Sequence, residues 1–137
     1  MKRAILAAAA GLVLWIVLIS VLNRGLRLCV AGYVAAEDTM GFTLGMLLAR
    51  LLIAAFTSLI AGALVRWLAP ASVRAPLLVG VILLIAFIPV HVRLWSLFPF
   101  WYHMVFLLTL IPLVVLGSRL RLTRDGVAGA PAGGART

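Results

Sequence analysis

Carboxylates are scarce in this chain. Glu37, Asp38 and Asp125 are its three acidic residues, against twelve Lys and Arg. None of the three lies inside an apolar run, so a proton-coupled exporter of the small four-helix kind would lack its central carboxylate. Cysteine is scarcer still: Cys29 stands alone. That excludes a disulfide within one chain and any Cys-based metal cluster, and it leaves Cys29 as a small apolar packing residue. Charged residues make up 11% of the chain, where a soluble domain carries about a quarter. There is no Gly-rich phosphate loop. No Ser/His/Asp or Cys/His set is arranged for acyl transfer. These absences predict a protein that is not an enzyme, with no catalytic residue and no cofactor.

What the chain has is apolar bulk. Of 137 residues, 66% are hydrophobic, more than a domain of this size can hide in its interior. Lipid is the natural solvent. The net charge of +9 invites a nucleic-acid reading, but the placement of the cations argues against it. Lys2/Arg3, Arg24/Arg27, Arg66, Arg74, Arg93 and Arg119/Arg121/Arg124 stand singly or in small groups at the ends of apolar runs. Membrane-flanking anchors have that pattern; a basic patch on one face does not. The expected partners are the lipid bilayer and, within it, a second copy of the chain or another membrane protein, with no nucleic acid.

Four runs are long enough to cross a bilayer, which takes about 20 apolar residues. They predict an all-α integral membrane bundle of four transmembrane helices over residues 1–122, with spans at about 4–22, 42–65, 75–92 and 98–116. Residues 123–137, rich in Gly, Ala and Pro, are expected to be a disordered cytoplasmic tail. The first run follows Lys2-Arg3 and holds nineteen residues without a charge. That exceeds a signal-peptide core of about 7–15 residues, so we expect a retained helix. Pro76 and Pro99 suit first turns. Pro112 removes the hydrogen bond to the Leu108 carbonyl and should kink the last span.

Residues 23–41 form the longest connection. Leu26, Cys29, Val30, Tyr33 and Val34 make one helical stripe, either an interfacial helix or an extension of the first span. Glu37-Asp38-Thr39 has the look of a helix start. The second span carries Arg50. A span that begins near Phe42 buries this arginine deep in hydrocarbon, which costs several kcal/mol unless it is paired. A span over 51–68 leaves it at the interface. We place it at the outer interface or just below. Small residues recur every fourth position: Gly41, Gly45 and Ala49 on one row, Ala54, Ser58 and Gly62 on another. Such rows let helix backbones approach closely.

Residues 91–103 read HVRLWSLFPFWYH, a tight turn between two spans. Trp95, Trp101 and Tyr102, with Trp67 at the opposite end, are expected as interfacial anchors. The run RLWSLFPFWYH followed by LIPLVVLG resembles small four-helix inner-membrane proteins of bacteria for which no activity is known, over about the last third of the chain. The resemblance implies the fold and brings no site with it.

Orientation follows from the cations. Eight of them (Lys2, Arg3, Arg66, Arg74, Arg119, Arg121, Arg124, Arg136) share the side of the termini, against Arg24, Arg27 and Arg93 opposite. That predicts cytoplasmic termini in a bacterial inner membrane. Glu37, Asp38, His91 and His103 then gather on the outer face. Two arrangements there merit attention. Glu37, Asp38, Arg50 and Arg93 form a candidate polar cluster, in which Arg50 either pairs with an acid along a substrate path or is an anchor held by lipid phosphate or helix-end carbonyls. His91 and His103 are candidate ligands for a metal or a haem, or simply interfacial histidines. The leading expectation is a non-enzymatic subunit or helper in a membrane complex. The alternatives are a small oligomeric transporter or channel using Arg50 and the outer acids, and a metal or haem protein using the two imidazoles.

Overall fold

The computed structural model describes residues 2–120. The fold among them is all-α, and four of its five helices are long and apolar enough to cross a membrane. In chain order these are α1 (Lys2–Cys29), the short α2 (Tyr33–Thr39), α3 (Leu44–Leu68), α4 (Arg74–Arg93) and α5 (Phe100–Arg119). The expected tail at 123–137 lies outside the described residues.

The long helices run alternately up and down. Around the bundle, however, their order is not the chain order. α1 sits beside α3 and α4, and α5 closes the far side against the same two. α3 and α5 therefore lie parallel, with Leu47 near Phe98 and Tyr102 at one end and Gly62 on Val114 towards the other. One end of the bundle carries Lys2, Arg3, Arg66, Arg74 and Arg119. Arg3 Nε donates there to the Leu68 carbonyl at 3.0 Å. The opposite end carries α2, Arg24, Arg27, Arg50, Arg93 and both histidines.

Small residues decide which faces meet. Lipid is as apolar as leucine, so burying a leucine between helices gains little; close backbone approach gains dispersion and fixes register. A Cβ on Gly62 would collide with the Val114 carbonyl oxygen and stand 3.0 Å from the Ser118 nitrogen. One on Gly117 would collide with the Leu59 carbonyl and lie 2.7 Å from the Leu59 Cα. The row Ala54, Ser58, Gly62 is buried throughout, and so are Ala7, Ala8 and Gly11 of α1, where Gly11 lies against Ala61 and Val65 of α3. Large side chains point the other way: Leu6, Val13 and Val17 on α1, Leu48, Leu52 and Phe56 on α3, Ile85 on α4 and Leu108 on α5 are all exposed. An apolar exterior of this extent suits a lipid surround and not water.

One polar link crosses the middle of the bundle. The Trp15 indole, 1% exposed, donates to Ser58 Oγ at 3.0 Å, and Ser58 donates to the Ala54 carbonyl at 2.7 Å. Other polar residues within the spans close on their own helices instead. Ser20, Asn23, Thr57 and Thr109 each donate to the carbonyl four residues back, the local bond these side chains form when no partner helix offers an acceptor.

α1 continues to Cys29, the extension that was one of the two readings of this connection, whereas Glu37-Asp38-Thr39 ends a helix where a start was expected. Gly32, at a φ of 76°, turns the chain from α1 into α2, and Met40, at a φ of 54°, closes α2. α3 begins afresh at Thr43, whose Oγ1 accepts from the Met46 N–H at 3.4 Å.

Candidate functional site

The end of the bundle opposite Lys2 and Leu120 concentrates the chemistry. α4 delivers His91 in its last turn, and α5 delivers Tyr102 and His103 in its first. Pro99 sets the entry: its fixed φ of −60° and extended ψ of 143° stop the 94–99 turn and start the helix. The two imidazoles then meet at one depth. Their Nδ1 atoms lie 2.7 Å apart, with the rings nearly perpendicular at 83°. His91 is 5% exposed and His103 is fully buried. Trp95 stacks on His103 at 4.9 Å, and Phe106 tilts over His91 at 4.6 Å.

Two nitrogens at that distance share one proton. One imidazole is the Nδ1–H tautomer and donates; the other accepts through its Nδ1 lone pair. A metal held by both Nδ1 atoms, at about 2.0 Å each, would need the rings further apart. Among the described residues there is no group of three or more His, Cys, Asp and Glu side chains placed to hold an ion. The pair as folded is a proton-sharing contact in an aromatic box. It leaves one loose end, for His103 Nε2 is buried without a hydrogen-bond partner.

Arg50 anchors the second half of the site. It is the seventh residue of α3, about 9 Å along the axis from Leu44. A 25-residue helix is about 38 Å long, against a hydrocarbon core of about 30 Å. Centred in the bilayer, α3 puts the Arg50 backbone about 5 Å below the hydrocarbon edge. That is within reach of the headgroups for an extended arginine side chain. The half-buried guanidinium donates through Nη1 to the Tyr33 hydroxyl at 3.3 Å and lies 5.0 Å from the centre of the Phe42 ring. Tyr102 is its other hydroxyl neighbour. Tyr33 and Tyr102 are buried, 1% and 4% exposed.

The residues singled out from sequence are thus partly brought together. His91 and His103 touch. Arg50 does not meet the acids: Glu37 is drawn to Arg27, Oε2 to Nε at 2.8 Å, across the turn between α1 and α2. Asp38 and Arg93 are exposed. Trp67, Trp95 and Trp101 are exposed at the two ends, whereas Tyr102 faces inward. Sequence reasoning missed Tyr33 and Phe42 as the neighbours of Arg50. The expected stripe through Tyr33 gave no such signal, because the chain turns at Gly32 and leaves Cys29 and Val34 of that stripe exposed while Tyr33 is buried. Also missed was the Trp15–Ser58 link, for which spacing gives no signal.

Compared with family models, curated proteins and solved structures, the chain matches none.

Proposed function

We propose that this chain is a non-enzymatic, multi-pass protein of the bacterial inner membrane, with cytoplasmic termini, that serves as a subunit or helper packed against another membrane helix. The observation that carries this reading is an unfilled glycine on α3; the expected row through Gly41 is broken, because Gly41 lies before the helix. Ala54, Ser58 and Gly62 are consumed within the bundle. Gly45, on the other row, is open: a side chain there would meet nothing nearer than Thr43 of its own chain at 4.0 Å. Leu44, Leu48 and Leu52 flank it, all exposed. On α3 the other row comes down to Gly45 and Ala49, and at Gly45 a helix of a partner or of a second copy can approach. The imidazole pair and the Arg50 group add no nucleophile beside a base.

Cross-linking in native membranes tests this. Wild type should give one defined oligomer or one defined heteromeric band, and Gly45→Leu should diminish it while the bundle stays folded. A clean monomer under those conditions would remove the proposal.

A further inference from the structure

We propose that Arg50, Tyr33 and Tyr102 form a binding site for a phosphate oxyanion at the end of the bundle opposite Lys2 and Leu120.

The first ground is an unbalanced charge. Among the described residues the one ion pair is Arg27–Glu37, so the Arg50 guanidinium has no carboxylate there. Its hydrogen bond is to the Tyr33 hydroxyl. A guanidinium carries five N–H donors, and a hydroxyl accepts few of them. In a bundle surrounded by lipid, an arginine without a counter-charge is costly, and an anion removes most of that cost.

The second ground is a built donor set. Arg50 comes from α3, Tyr33 from α2 and Tyr102 from α5. Both phenols are buried; the Tyr33 hydroxyl accepts from the guanidinium and keeps its own O–H to donate to an anion, and Tyr102 packs beside it against Leu47 and Phe98. Donors arriving from three helices are not coplanar. They suit the tetrahedral oxygens of a phosphate better than the flat edge of a carboxylate. Phe42, Leu47 and Phe98 wall the group with apolar surface, which keeps water from competing for the donors.

The third ground is depth. The Arg50 backbone sits about 5 Å below the hydrocarbon edge, so its head rises to the level of phospholipid phosphates. Leu44, Leu48 and Leu52 line the exposed face of the same helix, where acyl chains would lie. The ligand is therefore a phosphate ester presented by a lipid headgroup, or the same oxyanion from solution. Acyl chains would share Leu44, Leu48 and Leu52 with the face proposed for a partner helix, so the two readings are told apart by their variants: Gly45→Leu for the subunit role, Arg50→Gln and Tyr33→Phe for the phosphate site.

The test is a thermal-shift titration of the full chain, purified in a phosphate-free, uncharged detergent. The probes are dioleoyl-phosphatidylglycerol, dioleoylglycerol (the same chains without phosphate) and inorganic phosphate. Saturable stabilisation by phosphatidylglycerol, with none from dioleoylglycerol, supports a lipid source. Saturable stabilisation by inorganic phosphate supports a soluble source. In either case Arg50→Gln should weaken the apparent affinity at least about tenfold and Tyr33→Phe about fivefold, the effect of one lost hydrogen bond. Should Arg50→Gln fail to fold, Tyr33→Phe decides, because it removes an oxygen and keeps the ring. The site is refuted if neither phosphate probe binds saturably. Equal binding of dioleoylglycerol, or unchanged affinity in the folded variants, refutes it as well.

Discussion

Two imidazoles in an aromatic box have four ring nitrogens and very little water. In this protein one shared proton satisfies two of them, the Nδ1 atoms of His91 and His103. Removing one ring therefore does more harm than removing both. His91→Phe strands Nδ1 of His103 beside the Nε2 that is already without a partner. We expect a loss of about 1–3 kcal/mol from that single change. The double variant His91→Phe/His103→Phe should lose less than the sum of the singles, because no buried nitrogen is left unmet. Unfolding of the four proteins in detergent measures the cycle; strict additivity would show that the contact contributes nothing. The meeting of these residues was half legible in the sequence. Their positions on either side of one turn put them at similar depth. Whether they touch depends on how far α4 and α5 rotate about the 94–99 turn, which spacing does not fix. Arg50 shows the reverse case. Span arithmetic gives it an expected depth but could not name its neighbours. Glu37 looked available until the turn at Gly32 brought it to Arg27.

At the scale of elements, the parallel contact of α3 with α5 holds the bundle together. Gly62 and Gly117 each lie against a carbonyl of the facing helix, with no room for a methyl group. Gly62→Ala and Gly117→Ala should each destabilise by about 1–3 kcal/mol, the usual effect of overpacking a tight interface. Gly25 is the control. It lies in α1 with nothing within 4 Å of a built Cβ. Gly25→Ala should be neutral or stabilise by up to about 1 kcal/mol through helix propensity. Thermal unfolding of the three variants checks this, and a Gly62→Ala protein as stable as wild type would contradict the account. The existence of four spans was plain from their length and apolarity. The inward row of α3 was legible from its four-residue repeat, but the helix it meets was not. Alanine and glycine are spread through every span, so pairing rests on backbone geometry and leaves no local signature. The start expected at Glu37 was misread for a related reason. Acidic residues favour the first turn of a helix, yet Met40 in a left-handed conformation ends α2 just after them.

The molecule as a whole is a bundle with an apolar outside, close-packed small residues within, and two chemically unlike ends. The end bearing Lys2 and Leu120 holds cations and no histidine among the described residues. The opposite end holds both imidazoles, the Arg27–Glu37 pair and the Arg50 group. The proposed orientation places that second end away from the cytosol. The chain carries its own reporter for this: Cys29 is its one cysteine, exposed at the last residue of α1 on that end. Intact bacterial cells treated with a membrane-impermeant maleimide should label wild-type protein at Cys29, and Cys29→Ser should abolish the label. Labelling that appears only after the membrane is permeabilised would contradict the proposed orientation.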